Sequence, residues 1–563
     1  MEKMIISFKN KALIVIILLL SSLFAFALFK NIAYPLLWND EAETAMFATR
    51  ILEYGYPKAH DGRNTLCLLE LPIEFGVKEK NDAYIGSTWG QYYFSVIGAS
   101  LAERVKDIYA KTALLRIPFA FIGFAGLVIM ALSVIGLYKK NLTAKLMFLM
   151  IFIFFELLSI SLILHLREAR HYPIGIFLSA CIFYSYINYG ILKKATTVTY
   201  ISTMTLLLLL VFNTFPPLYF IFIIAIGLYE LFNFLRKRQV YNFAINTSPL
   251  FISLIPIFFL LSFFETFRIS GELAKIYAIT PPLQYTFILE LLAFFQKYEF
   301  LNLILATKVI LAILYLYIRI SKISPSDNKI KETGQKLWAS NFFSLFFIIY
   351  ILVITKMPVP VIYQRYFIIL QPISTIILLL DIFITFELIG RINPLNTKNI
   401  TTLFVLFLIC LLFMQGSLNK IGHIKNYIYE LSHQYKGPLD FVIPYIKSKY
   451  DKPGRLVIAT NYEECSYMYY LGSRVIIGYV GNNLEEDLKI QPDVIIFRKR
   501  WAYTGNPQIF NVFFKNESYK KIAFPVFDYP VNNIPELYSS PQHLYETKMA
   551  ESENKQLDIY IKQ

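Results

Sequence analysis

ALIVIILLLSSLFAFALF, residues 12–29, carries no charge and is long enough to cross a bilayer as one helix. The next polar cluster is Trp38-Asn39-Asp40-Glu41-Ala42-Glu43. An uncharged span followed so closely by acids sets Asp40 and Glu41 at the water-facing edge of a membrane. Carboxylates there reach a lipid head group and a water-soluble molecule together, so the pair points to chemistry at a membrane surface. The apolar core is too long for a secretory signal peptide, and no small-x-small cleavage site precedes Asn31. The segment is therefore expected to remain as a span.

The rest of the chain repeats this pattern. Its 563 residues are 56% hydrophobic and only 17% charged, against about 45–50% and about 25% in soluble domains. A polytopic α-helical membrane protein is the class that fits. The net charge of +15 invites a nucleic-acid reading, but the basic residues sit in short clusters between apolar runs, as the positive-inside rule produces. Cys67, Cys181, Cys410 and Cys465 form no CxxC pair, which argues against a zinc site or a disulfide framework. Cys67 and Cys465 can pair only if the first loop and the tail touch.

Spanning segments recur about eleven times, near 12–29, 112–138, 143–164, 172–192, 198–215, 217–235, 247–264, 300–318, 338–355, 366–386 and 400–418. Lys139, Lys140, Lys145, Lys193, Lys194, Arg236–Arg238, Arg319, Lys322, Arg391 and Lys398 fall on one side if the N-terminus is cytoplasmic. That orientation puts loop 30–111, slightly richer in acids than bases, outside with the tail. The expected organisation is a transmembrane unit over 1–419, including that loop, and an extracytoplasmic α/β domain over 420–563. In the loop, amphipathic helices are expected over Glu41–Leu52, with its apolar face against the membrane, and over Gln91–Glu103. A further amphipathic stretch, Leu283–Phe295, follows Pro281-Pro282. In the tail, a helix over Leu439–Tyr450 stops at Asp451-Lys452-Pro453-Gly454, and strands at Leu456–Thr460, Arg474–Val480 and Val494–Phe497 enclose a helix ended by Gly472. The alternation predicts a parallel sheet with crossover helices. No Gly-rich phosphate loop follows the first strand.

Asp40 and Glu41 have two compatible readings. A carboxylate leaving the membrane beside an apolar helix is placed to deprotonate a hydroxyl or amine; Asn39 or Asp40 can equally cap the following helix, with Glu41 and Glu43 near its positive end. In Arg167-Glu168-Ala169-Arg170-His171-Tyr172 the two arginines are three apart, suited to one helix face and to bidentate phosphate binding, or to head-group anchoring and pairing with Glu168. Arg365, in Gln364-Arg365-Tyr366, opens an apolar helix as a phosphate ligand or an interfacial anchor, and Arg116 in Leu115-Arg116-Ile117-Pro118 is similar. Trp89, Tyr92 and Tyr93 are interfacial aromatics or a platform for a sugar ring. No HExxH, nucleophilic triad or histidine metal spacing is present, which names no metal site and leaves the need for a divalent cation open.

Read together, Asp40-Glu41-Ala42-x-x-Ala45-x-x-Ala48-x-Arg50-x-Leu52-x-x-Gly55-x-Pro57 resembles the first-loop signature of the GT-C membrane glycosyltransferases. The nearest group is the protein-O-mannosyltransferase and aminoarabinose-transferase-like family, glycosyltransferase family 39 in the broad sense. Tyr92-Tyr93, Gly98 and Leu115–Pro118, then Arg167–Tyr172, then Gln364–Tyr366 with Pro372, are similar to later motifs of that family in chain order. The resemblance covers roughly residues 10–390. It lacks the family's proline-rich HPPLYY segment, having Gly86-Ser87-Thr88-Trp89-Gly90-Gln91 instead, and residues 58–88 are longer than the pattern. Both departures leave the acceptor open.

The resemblance implies an inverting transfer of a sugar from a polyprenyl- or dolichyl-phosphate-linked donor to a lipid, glycan or protein acceptor at the outer face of the plasma or inner membrane. Carried onto this chain, Asp40 activates the acceptor and Glu41 orients acceptor or backbone. Arg167, Arg170 and Arg365 hold the lipid phosphate, and Trp89, Tyr92 and Tyr93 face sugar or acceptor. The other readings are a polytopic transporter or lipid flippase, favoured by Glu156, His165, Asn213 and Pro216-Pro217 inside or beside spans, and an inactive envelope-assembly protein.

Overall fold

The structure is a computed structural model that describes residues 2–66, 75–139, 141–276, 288–293, 301–320, 327–357, 364–392, 437–477, 484–498, 507–515, 518–526 and 556–563, with isolated positions between them. Its first eleven helices are α1 Glu2–Phe29, α2 Asn39–Tyr54, α3 Gly90–Ala102, α4 Ile108–Ile135, α5 Leu142–Leu158, α6 Ile160–Leu166, α7 His171–Gly190, α8 Thr197–Thr214, α9 Pro216–Lys237, α10 Val240–Phe263 and α11 Thr266–Ile276. Long helices over Leu301–Ile320, Asp327–Ile354 and Leu370–Ile392 follow. Among the described residues seven helices are long and apolar enough to cross a membrane: Lys9–Phe29, Ile108–Tyr138, Thr197–Thr214, Pro216–Lys237, Val240–Phe263, Glu332–Ile354 and Leu370–Ile389. These are the helices of a polytopic membrane protein.

The count expected from the sequence is larger, for identifiable reasons. Segment 143–164 is broken at Ser159 (φ −91°, ψ 78°), so α5 and α6 are separate helices. Segment 172–192 is the helix α7, and 300–318 contributes a shorter apolar stretch, Leu301–Leu316. Segment 400–418, Cys67, Cys410 and, within Leu283–Phe295, residues 283–285, 287 and 294 lie outside the described residues.

α2 forms because small residues recur on one face and Gly55 closes its end, taking φ +84° while its N–H donates to Ile51 O. Most of the face expected to lie against the membrane is covered by protein instead, while Thr49 and Leu52 at its end stay exposed. Ala42, Ala45, Phe47 and Ala48 have no exposed surface, because α3 and a C-terminal helix cover them. α3 in turn lies against α4. A Cβ on Gly98 would come within 2.7 Å of Leu115 Cα, so only glycine permits this approach.

After α2 the chain folds back through the buried Arg50. Its guanidinium donates to Lys58 O (2.9 Å), Asp61 Oδ2 (2.8 Å) and Asn64 O (2.9 Å). A short antiparallel pair, β1 Val77–Lys78 and β2 Ala83–Tyr84, follows.

The C-terminal region carries one mixed sheet: β3 Val457–Thr460, β4 Arg474–Ile477, β5 Val494–Ile496, β6 Tyr519–Phe524 and β7 Leu557–Lys562, in the order β4-β3-β5-β7-β6. β3 pairs in parallel with β4 and β5, as the alternation predicts, and the helix Glu464–Leu471 ends at Gly472 (φ +65°). β7 and β6 return antiparallel, which the expectation of an all-parallel sheet missed. A buried Arg498 pairs with Glu463 and Asp528 and fixes the loop after β3.

This region sits on the first loop. Asn64 Nδ2 donates to Ser473 O (3.0 Å) and its Oδ1 accepts from Val475 N (2.8 Å), so one side chain extends the edge of β4. Ser466 Oγ donates to Leu37 O (2.8 Å), Leu37 N to Tyr470 Oη (3.0 Å), and Tyr109 Oη to Asp440 Oδ1 (2.6 Å). The condition for a Cys67–Cys465 bridge, contact between loop and tail, is thus met, but Cys465 is a buried free thiol.

Asn64→Ala would leave Ser473 O and Val475 N without these partners, each worth about 1–3 kcal/mol when buried. Limited proteolysis in detergent is expected to release the C-terminal region sooner, with the helical part intact. Unchanged cleavage would show that docking does not depend on Asn64.

Candidate functional site

The site begins with two charges buried at one end of the helices. Glu41, 1% exposed, meets Arg116 of α4, 5% exposed. Arg116 Nε donates to Glu41 Oε1 (2.8 Å) and Nη2 donates to Oε2, a bidentate pair. Arg116 Nη1 also donates to Ile32 O (3.1 Å) and Pro35 O (2.7 Å), and Ala169 N donates to Glu41 Oε1 (2.9 Å). One ion pair therefore ties together the chain leaving α1, the first turn of α2, and the turn between α6 and α7. Each guanidinium nitrogen of Arg116 and each carboxylate oxygen of Glu41 has a partner. Of the two roles expected for Glu41, this geometry is that of orienting backbone.

Asp40, the next residue back, is placed differently. Its side chain is 25% exposed, and its contacts are long: 3.3 Å from Arg170 Nη2 and 3.9 Å from Arg365 Nη2. Charge-assisted hydrogen bonds close to about 2.7–2.9 Å when fully made. Arg170 also donates through Nη1 to Asp40 O (3.2 Å), stands 3.8 Å from Glu43, and its Nε has no hydrogen-bond partner among the described residues. Arg365 lies over the Trp38 ring, 5.0 Å from its centroid, and beside Tyr366 at 5.7 Å. An anion entering here would meet two guanidiniums, Arg170 and Arg365, whose contacts with the Asp40 carboxylate are long.

Glu43 accepts from Tyr92 Oη (2.9 Å). Burial, then Glu43, hold that phenol well above its ordinary value, so it remains a donor. Glu168 completes the cluster. It is 5% exposed, its Oε1 accepts from Trp38 Nε1 (3.1 Å), and its Oε2 has no hydrogen-bond partner among the described residues. Burial, then Glu41, push its carboxyl up to about 8 against the opposing pull of Arg365 and Arg170.

The expected site residues divide accordingly. Asp40, Arg170 and Arg365 are brought together, and Tyr92 reaches them through Glu43. Arg167 is not on a common helix face with Arg170, because α6 ends at Leu166 and the arginines flank a turn; its Nη1 donates to Lys30 O (2.6 Å), at the end of α1. Trp89 donates through Nε1 to Tyr84 O (2.7 Å) and packs edge-on against Phe263 and Phe264, a structural role. Tyr93 turns to Gly55 O (2.8 Å). The capping reading also fails: Trp38 holds the N-cap position with no side-chain cap bond, and Asn39 Oδ1 accepts instead from Cys465 N (3.4 Å).

Glu43 and Trp38 were visible only as neighbours of the acidic pair; nothing in their spacing signals their partners. Among the described residues no group of three or more His, Cys, Asp or Glu is placed to hold a metal ion. Compared with known proteins, the chain matches no family model and no curated sequence.

Removing one partner of a buried ion pair costs about 3–5 kcal/mol, because the other charge is left stranded. Arg116→Met should therefore lower the thermal midpoint in detergent sharply, and adding Glu41→Met should recover part of the loss. Equal stability of Arg116→Met and the unaltered protein would remove the pair as the clamp.

Proposed function

We propose that this protein is an inverting GT-C-type membrane glycosyltransferase. It moves a sugar from a polyprenyl- or dolichyl-phosphate donor to a lipid, glycan or protein acceptor. The observation that carries the reading is the meeting of a solvent-reachable carboxylate, Asp40, with two guanidiniums, Arg170 and Arg365, at the end of apolar helices. The donor phosphate takes the two arginines, which releases Asp40 from its loose pairing. The freed carboxylate accepts the proton of the acceptor hydroxyl as its oxygen attacks the anomeric carbon. The bond from that carbon to the phosphate oxygen breaks, and its electron pair stays with the phosphate. One base and no covalent carboxylate suffice for inversion.

The neighbouring elements fit that role. α1, α4 and α5 bound an apolar cavity of about 220 Å³ lined by Phe24, Leu127 and Phe152, with Glu156 at its wall, suited to an isoprenoid chain. In this reading the site, loop 30–111 and the C-terminal region lie on the extracytoplasmic side of the plasma or inner membrane, with the N-terminus cytoplasmic. Phosphate charge is met by arginine, and no step is assigned to a divalent cation.

A transporter or flippase reading draws on Lys308, Ser340 and Asp381, which lie within three long helices. Lys308 Nζ is 3.1 Å from Asp381 Oδ2 and 2.6 Å from Ser340 Oγ, so these groups pair with one another and join the helices.

Asp40→Asn is expected to insert and express normally while transfer from polyprenyl-phosphate sugars falls by about 10²–10⁴-fold. Full activity in that variant would remove Asp40 as the base. Arg365→Ala should weaken donor binding by about 10–100-fold, the worth of a hydrogen bond to a charged group; unchanged donor affinity would reassign Arg365 to anchoring.

A further inference from the structure

Among the carboxyls of the site, Glu168 is the one whose surroundings disfavour charge. Glu41 is neutralised by a bidentate arginine, and Asp40 is open to solvent. Glu168 is buried, receives one hydrogen bond at Oε1 from a neutral indole, and leaves Oε2 unused among the described residues. A buried ionised carboxylate with an unfilled oxygen is costly, whereas a protonated one has an O–H to give.

The charged and titratable groups that face it are Asp40 and Glu41 from α2, Arg116 from α4, Arg170 from its own turn, Tyr172 from α7, and Arg365 from the turn Gln364–Phe367. Burial and Glu41 outweigh the arginines, so the carboxyl keeps its proton up to about pH 8.

We propose that Glu168 is a third ligand of the donor phosphate, acting as a neutral acid whose Oε2–H donates to a phosphate oxygen held by Arg170 and Arg365. The ligand class is an anionic phosphodiester, and the inference rests on the phosphate reading of those two arginines. Ionised Glu168 would instead repel the phosphate and compete for both guanidiniums. The sign follows directly. An anion binds the protonated form, so affinity is complete below about pH 8 and is lost as pH rises through it. A bound phosphate also adds negative charge beside Glu168, which holds its proton more firmly.

The test measures binding, without turnover, of farnesyl methyl phosphate to the full chain in nanodiscs between pH 6 and about 10. This probe is a diester whose single charge does not change over that range. The dissociation constant should stay flat at low pH and rise about tenfold per pH unit above about 8. Glu168→Gln keeps a neutral donor, so it should bind with a flat profile across the whole range. Glu168→Ala should also be flat but about tenfold weaker, as one lost hydrogen bond requires.

A flat profile in the unaltered protein, or the same alkaline loss in Glu168→Gln, would overturn the proposal, and the first of these needs no variant to fold. Failure to bind the diester at any pH would instead remove Arg170 and Arg365 as the phosphate site. Dimethyl phosphate run in parallel separates the sources. Weak binding by it assigns the site to a lipid head group, and equal binding to a soluble phosphodiester, while an alkaline limb on either supports the Glu168 contact.

Discussion

The buried pair of Arg116 and Glu41 is the interaction on which the rest of the site depends. Arg116 stands in a long apolar helix, where an isolated charge would cost several kcal/mol. Full bidentate engagement by Glu41 and further bonds to Ile32 O and Pro35 O let it stay there, while Ala169 N donates to the Glu41 carboxylate. The consequence is geometric. Three segments that meet nowhere else in the sequence are held against one guanidinium–carboxylate unit, and Asp40 sits one residue from it. The neighbouring contacts of Asp40 with Arg170 and Arg365 are longer and reachable from solvent. A saturated pair beside an unsaturated one is the division expected of a support and the working groups it positions.

The fold also gives three neighbouring carboxyls different surroundings. Glu41 is compensated by a bidentate arginine, Asp40 faces two arginines and water, and Glu168 is enclosed with a single neutral donor. The C-terminal region takes part in the arrangement. Ser466 and Tyr470 bond to Leu37, and the Cys465 amide to Asn39, so the helix Glu464–Leu471 grips the chain immediately before Asp40. The tail is therefore part of the framework that aims the acidic turn.

What was legible in the sequence is what local pattern encodes. Apolar runs located the long helices, small-residue spacing located α2, and the Leu456–Gly472 alternation located β3 and the helix behind it. What was hidden depended on partners far away in the chain. Glu41 finds Arg116 seventy-five positions on, and β7 returns to pair with β5 from the far end of the chain. The break at Ser159 lies inside a segment that reads as one span; Glu156, Ser159 and Ser161 interrupt its apolar run, but their spacing alone does not signal that the helix ends there. Trp89 looked like a sugar platform because an aromatic beside Tyr92 and Tyr93 reads the same whether it faces a ligand or, as here, Phe263 and Phe264. Arg170 and Arg365 were legible as cations at span ends; their convergence on Asp40 was not.

The most direct measurement of the central claim is a cryo-electron microscopy structure with a polyprenyl-phosphate sugar bound. Phosphate density is expected between Arg170 and Arg365, with the sugar's anomeric carbon facing Asp40 and the Glu41–Arg116 pair undisturbed. Phosphate density elsewhere, with Asp40 still facing both arginines, would contradict it.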